Sequence, residues 1–120
     1  MKIIGIGVDI VNNERIKKSI NDRKFVNRVF SKVEIIYSKK IKNKSSYFAK
    51  RFAAKESLSK AIGTGFRKGL NFKDISIIND KKGKPYYKLN NNVKKLIYSI
   101  FKVKKIKISL SLADEKKYSI

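Results

Sequence analysis

The sequence predicts an α+β domain: a mainly antiparallel sheet packed against one long helix and several shorter ones. Three observations carry this expectation. Residues 106–112, IKISLSL, alternate apolar and polar side chains with the period of a strand. Residues 74–79, DISIIN, and 84–88, KPYYK, flank Asp80-Lys81-Lys82-Gly83 as the arms of a hairpin. Residues 45–62, SSYFAKRFAAKESLSKAI, form an alanine-rich stretch with apolar residues at helical spacing.

From the N-terminus, residues 3–10, IIGIGVDI, read as a strand. One face carries Ile4, Ile6, Val8 and Ile10, and the other Ile3, Gly5, Gly7 and Asp9. Either the two glycines leave space beside Asp9, or they permit close backbone packing. A helix begins near Asn12 or Asn13, good N-cap residues, and runs to about Asn21. Ser31 and Glu34 have capping-box spacing, so a short helix starts there, with Val33, Ile36 and Tyr37 on one face. In the long helix Phe48, Ala54, Leu58, Ala61 and Ile62 form the expected buried stripe, and Gly63-Thr64-Gly65 ends it. Pro85 marks the second hairpin arm as an edge strand. Residues 91–102 read as a helix with Val93, Leu96, Ile97, Ile100 and Phe101 inward. Ile106, Ile108, Leu110 and Leu112 share one side of the late strand.

A length of 120 residues fits one domain, 1–120. Cysteine and histidine are absent, which removes disulfides, thiolate nucleophiles, zinc sites and imidazole proton transfer. Acid–base work falls to Asp, Glu, Lys, Tyr or water, and a bound metal must be a hard, oxygen-seeking ion. No apolar run reaches membrane-spanning length and the N-terminus is not a signal peptide, so a cytoplasmic location is expected, with no membrane partner. The net charge is +22, from 31 basic and 9 acidic residues. Charge alone favours a nucleic-acid-binding module, but no reader motif is present and only five of the basic residues are Arg. The lysines are scattered among abundant Ile and Asn, as in an AT-rich coding sequence. The reading is therefore of anionic ligands without nucleic acid.

Asp9 and Glu56 are candidates for two carboxylate ligands of one Mg²⁺, an ion that often takes one or two carboxylates and completes its shell with water and phosphate oxygens. Lys60 lies one turn beyond Glu56 on the same helix face and can reach an adjacent phosphate. The plainer alternatives are that Asp9 is a cap or ion-pair partner, that Glu56 and Lys60 are a surface pair, and that Gly63-Thr64-Gly65 is a helix stop.

Gly5-Ile6-Gly7-Val8-Asp9-Ile10-Val11 resembles the opening motif of the holo-[acyl-carrier-protein] synthases. Arg51-Phe52-Ala53-Ala54-Lys55-Glu56, with Lys60-Ala61 and Gly63-Thr64-Gly65, resembles their second motif. Asn79-Asp80, Gly83-Lys84-Pro85 and Ser109–Glu115 with Tyr118 match further stretches in order. The resemblance implies the 4′-phosphopantetheinyl transferase fold and Mg²⁺-dependent transfer of phosphopantetheine from coenzyme A to a serine of acyl carrier protein, releasing 3′,5′-ADP, in support of fatty acid biosynthesis. It implies that Asp9 and Glu56 bind Mg²⁺, with Glu56, Asp9 and Lys60 catalytic. Lys60, Gly63, Thr64 and Gly65 would lie near the coenzyme phosphates. Lys42, Arg51, Lys84 and Pro85 would line the coenzyme groove, and Arg15 would meet the carrier protein. It also implies a homotrimer with active sites between subunits. Some relatives have a histidine near the Ala113-Asp114 turn, whose role does not carry over. Relatives usually continue for several residues past the equivalent of Tyr118-Ser119, so an altered sheet edge is expected.

Overall fold

Helix α4, Lys44–Ile62, is the element around which the others are arranged. The structure, a computed structural model, describes residues 2–120. The Asn43 side chain caps α4 by accepting from the Ser46 amide at 3.1 Å, a role for which Asn is favoured. Gly63 stops it at φ +90°, a left-handed conformation in which glycine carries no Cβ penalty. Before α4 come β1 (Val11–Asn12), α1 (Asn13–Ser19), α2 (Arg23–Val29) and α3 (Lys32–Ser38). After it come a 3₁₀ turn (Phe72–Asp74), β2 (Ile75–Asn79), β3 (Pro85–Leu89), α5 (Asn91–Phe101) and β4 (Tyr118–Ser119).

The core divides along α4. Toward its N-terminus Tyr47, Phe48, Ala49 and Ala53 pack with Val11, Ile16, Val29 and Phe30 from β1, α1 and the end of α2. Toward its C-terminus Ala54, Leu58 and Ile62 pack with Ile75 and Ile77 of β2 and Val93 and Ile97 of α5. The alanines let neighbouring backbones approach, while Phe30, with no exposed surface, fills the first half. Burying a side chain of that size contributes about 2–3 kcal/mol.

Two antiparallel pairs make up the sheet structure. β2 and β3 pair from Ile75↔Leu89 to Asn79↔Pro85, and β1 and β4 pair as Val11↔Ser119 and Asn12↔Tyr118. The α+β class is as the sequence predicts, and so is the hairpin, with Pro85 at the start of an edge strand. The stretches expected as strands at 3–10 and 106–112 do not enter a sheet within this chain, because neither finds a partner for its backbone. Their side-chain alternation is still present at 106–112. Ile108, Leu110 and Leu112 pack on the core, and Lys107, Ser109 and Ser111 are exposed.

Helices α1, α3, α4 and α5 lie where the sequence predicts, and α2 is additional. Its signal is present in Asp22, whose side chain accepts from the Lys24 amide at 2.9 Å, followed by Phe25, Val26 and Val29 on one face. α3 turns the other way from the expectation: Val33, Ile36 and Tyr37 are exposed, while Glu34 and Ser38 are buried. Ile100 of α5 also lies outward.

Glu34 faces inward because Lys55 of α4 meets it. Lys55 Nζ donates to Glu34 Oε1 at 2.7 Å and to the carbonyls of Val29, Phe72 and Ile75 at 2.9, 3.0 and 2.7 Å. Glu34 also accepts from the Ser31 amide at 2.9 Å and the Ile77 amide at 3.0 Å. Neither side chain of the pair has exposed surface. Burial pulls the Lys55 pKa down, against the opposing charge of Glu34. Lys55→Met should leave a buried carboxylate without its cation and cost about 3–5 kcal/mol. The double variant Lys55→Met/Glu34→Leu should recover much of that loss. Urea unfolding of both variants tests the coupling, and additive losses would contradict it.

Candidate active site

Only nine side chains in the sequence are acidic, and the structure engages most of them in its own scaffold. Asp22 caps α2, Asp80 accepts from the Lys82 and Lys84 amides in the hairpin turn, and Glu115 accepts from the amides of Lys117 and Tyr118. Asp74 accepts from Asn71 and Asn90, and Asp114 from Ser46 and Lys50. Glu34 meets Lys55, and Glu14 lies in the first turn of α1, where a negative charge is favourable. Asp9 and Glu56 are left, and they share one site.

The site is formed where residues 5–9 cross α4. A Cβ built on Gly7 would collide with the Ser57 carbonyl oxygen, and one on Gly5 with that of Ala61. The glycines therefore serve close backbone packing, the second of the two readings their spacing allows. This contact brings Asp9 alongside α4, where Lys60 Nζ donates to Asp9 Oδ1 at 3.0 Å and to the Val8 carbonyl at 3.1 Å. The Asp9 side chain is mostly covered, at 16% exposure, while Lys60 is 53% exposed.

Glu56 is half-buried and, among the described residues, has no hydrogen-bond donor to its carboxylate. Its pKa is raised, first by burial and then by the charge of Asp9, with Lys60 and Arg15 opposing. The structure thus gathers Asp9, Arg15, Glu56 and Lys60 into one electrostatic cluster. A second carboxylate beside one that lacks a donor suits a hard cation. No group of three or more acidic ligands occurs among the described residues, so water and substrate oxygens would complete such a cation's shell.

The other predicted residues fall elsewhere. Gly63 and Gly65, at φ +90° and +58°, form the helix stop, and both their amides donate to the Ser59 carbonyl, at 3.0 and 3.3 Å. Thr64 Oγ1 donates to the Gly65 carbonyl. Arg51 is 5% exposed and lies on a different side of α4 from the carboxylate cluster. Its guanidinium stacks over the Tyr47 ring at 3.7 Å and donates to Asn79 Oδ1 at 2.8 Å, leaving Nε without a partner. Burial pushes the Tyr47 hydroxyl up to about 12. Asn79 Nδ2 in turn donates to the Gly83 carbonyl at 2.8 Å, which ties Arg51 to the hairpin end bearing Lys84 and Pro85. Lys42 is exposed between α3 and α4. The sequence reading missed Asn79 as the residue that orients Arg51, although its place at the hairpin corner was visible. It also missed Tyr47, which helical spacing sets four residues before Arg51.

The family of this chain follows from comparison with known proteins. Residues 5–118 match the model of the 4′-phosphopantetheinyl transferase superfamily, and the chain belongs to that superfamily. Within it, the chain is similar to enzymes of one kind. It is 58% identical to the holo-[acyl-carrier-protein] synthase of Pelagibacter ubique over all of this chain and 94% of that one. Its fold superposes on the crystal structure of holo-[acyl-carrier-protein] synthase from Neisseria meningitidis with a TM-score of 0.88 at 33% identity, covering 98% and 94% of the two chains. It also superposes on the Bacillus anthracis enzyme in complex with coenzyme A (3′,5′-ADP), with a TM-score of 0.80 at 34% identity and 98% and 90% coverage.

Two predictions follow from the crossing of residues 5–9 over α4. Gly7→Ala should lift this segment from α4 and destabilise the fold by about 1–3 kcal/mol, as measured by urea unfolding; unchanged stability would contradict the contact. The second concerns pH. A carboxyl whose folded pKa is raised favours the protonated fold, so stability is lost as pH climbs from the ordinary carboxylate range through the raised value. Glu56→Gln should remove that slope in metal-free buffer and raise the melting midpoint near pH 7 by about 1–3 °C. A midpoint below the parent's would count against like-charge crowding with Asp9.

Proposed function

We propose that this chain transfers the 4′-phosphopantetheine arm of coenzyme A to a serine of an acyl carrier protein, releasing 3′,5′-ADP. The observation that carries the reading is the Asp9–Glu56 pair beside Lys60, in a chain of this superfamily. The names of its relatives supply the substrates. Asp9 and Glu56 would hold Mg²⁺, which when bound neutralises phosphate charge.

The chain's own residues account for the rest. Lys60 is exposed enough to leave Asp9 and bond a phosphate oxygen when coenzyme A arrives. With the Gly63 and Gly65 amides already bonded to Ser59, the Gly63-Thr64-Gly65 turn contributes through Thr64. Glu56, whose raised pKa suits a base, accepts the proton of the carrier serine. The serine oxygen bonds to the β-phosphorus, and the bond from that phosphorus to the bridging oxygen breaks. Its electron pair leaves on 3′,5′-ADP. Positioning and charge neutralisation supply most of the rate in such transfers.

Arg51, tied through Asn79 to the hairpin end bearing Lys84 and Pro85, lies apart from the carboxylates, and Lys42 is exposed in the loop before α4. This supports a homotrimer in which one copy's carboxylate cluster meets the next copy's Arg51 cluster, so that the coenzyme lies between subunits. Arg15, close enough to Glu56 to bear on its charge, would receive an acidic carrier protein. A cytoplasmic location and a role in fatty acid biosynthesis fit these substrates, and no helix among the described residues is long and apolar enough to cross a membrane.

Incubation with coenzyme A, Mg²⁺ and apo carrier protein, followed by mass spectrometry, should show phosphopantetheine on the carrier. Asp9→Ala and Glu56→Ala should each lower turnover by at least about a thousandfold, or ~4 kcal/mol. Arg15→Glu should raise KM for the carrier about tenfold while sparing that for coenzyme A. Near-parental turnover of either carboxylate variant would end the assignment.

A further inference from the structure

The chain between α4 and the 3₁₀ turn, residues 63–71, is a strap with few fixings of its own. Gly63, Gly65, Lys68 and Gly69 all take left-handed backbone, at φ +90°, +58°, +54° and +86°. Lys68 has no local reason to adopt that form, because its Cβ crowds the backbone there. Backbone hydrogen bonds fix only the two ends. The Gly63 and Gly65 amides donate to the Ser59 carbonyl, and the Leu70 amide closes a turn onto the Arg67 carbonyl at 3.1 Å. Among the described residues, no amide from 66 to 69 donates to a carbonyl. Leu70 is buried at the far end, while Arg67 and Lys68 are exposed. Between Gly65 and Leu70, only Phe66 packs on the body of the protein.

Phe66 is held by a column of rings. It lies almost flat on Phe72, with centroids 3.6 Å apart and planes at 14°, and Phe72 stacks on Phe52 at 5.7 Å and 17°. Phe52 lies on α4 four residues before Glu56, and so on the same helix face. The column therefore runs from the part of α4 that carries Glu56 to the strap beyond its C-terminus. Phe66 packs on the half of the core around Leu58 and Ile62, while Phe52 and Phe72 pack on the half around Phe48. The one stack thus bridges both halves. Full face-to-face overlap is not the arrangement that ring electrostatics prefer. The contact rests instead on the apolar area it removes from water, and a smaller apolar side chain would keep only part of it.

We propose that Phe66 is a positioning residue for coenzyme A: its stack on Phe72 clasps the strap and holds the Gly63-Thr64-Gly65 turn in the form that the coenzyme meets. The inference rests on the reading above that this turn contributes to coenzyme binding through Thr64. The physical route is preorganisation. A strap whose left-handed residues are already fixed loses less freedom when a ligand docks. Without the ring, the ligand itself must order the strap. The cost then falls on coenzyme binding and not on the carrier or the chemical step.

The test is steady-state transfer from coenzyme A to apo carrier protein with Mg²⁺, together with amide hydrogen exchange. Phe66→Ala should raise KM for coenzyme A about tenfold and the milder Phe66→Leu about threefold, with kcat and the carrier's KM within about twofold of the parent. Phe66→Tyr keeps the ring and should stay within about twofold throughout. Val93→Ala trims the same half of the core from α5; it should lower the melting midpoint and leave KM for coenzyme A unchanged. In Phe66→Ala the Gly63 and Gly65 amides should exchange at least about tenfold faster as the strap loosens. An unchanged KM for coenzyme A in Phe66→Ala or Phe66→Leu, or an equal rise in Val93→Ala, would overturn the clasp and leave the transfer reading standing. Absence of transfer by the parent would end that reading, and the clasp with it.

Discussion

The fold depends on one buried ion pair. Lys55 and Glu34 have no exposed surface, yet between them they bond the end of α2, the start of α3, the 3₁₀ turn and two residues of β2. Five of the seven bonds to the pair are to backbone groups of other elements. The lowered pKa of Lys55 indicates that burial outweighs the attraction of Glu34 for the ammonium. The pair is therefore better understood as a device for specificity than as a net source of stability. An apolar pair of similar volume would fill the space but would not dictate which carbonyls meet at this point.

That specificity extends to the site. Lys55 and Glu56 are adjacent on α4 and point about 100° apart. Fixing Lys55 inward among four oxygens fixes the rotation of α4, and with it the outward direction of Glu56. The crossing segment supplies the other carboxylate by a different means, since Gly5 and Gly7 rest directly on α4 carbonyls. One carboxylate is thus set by a buried polar hub, and the other by two missing side chains. Both supports lie outside the cluster they position.

Much of this was legible in the sequence where local rules decide the outcome. Asn12 and Ser31 announce helix starts, Gly63 a stop, and Asp80–Gly83 a turn, because capping and turn chemistry act within a few residues. The Asp9–Glu56 pairing was legible only through motif resemblance, since no spacing rule brings together residues 47 apart in the chain. The orientation of α3 was not legible. An apolar face of Val33, Ile36 and Tyr37 should turn inward, but the Glu34–Lys55 contact overrides it, and its partner lies 21 residues away. The burial of Lys55 and the stacking of Arg51 on Tyr47 were not legible either, because nothing local signals three carbonyls and a carboxylate, or an aromatic ring, waiting for them. The strands at 3–10 and 106–112 were correct as extended, alternating segments and wrong as paired ones, because pairing is a property of the neighbour and not of the segment.

The charge balance sharpens the functional argument. In a chain of net charge +22, a carboxylate is scarce and cations are everywhere, so an acid placed at random would be neutralised by lysine. Asp9 has such a partner in Lys60, but Glu56 has no hydrogen-bond donor among the described residues, and burial and then the like charge of Asp9 raise its pKa. Two crowded carboxylates lower the stability of a metal-free fold, and a surface this basic offers ample means to relieve them. Folding alone gives no reason to keep them together. A cation held between them would remove that repulsion. The chain's net charge of +22 would act in the same direction, favouring the approach of anionic ligands over a long range.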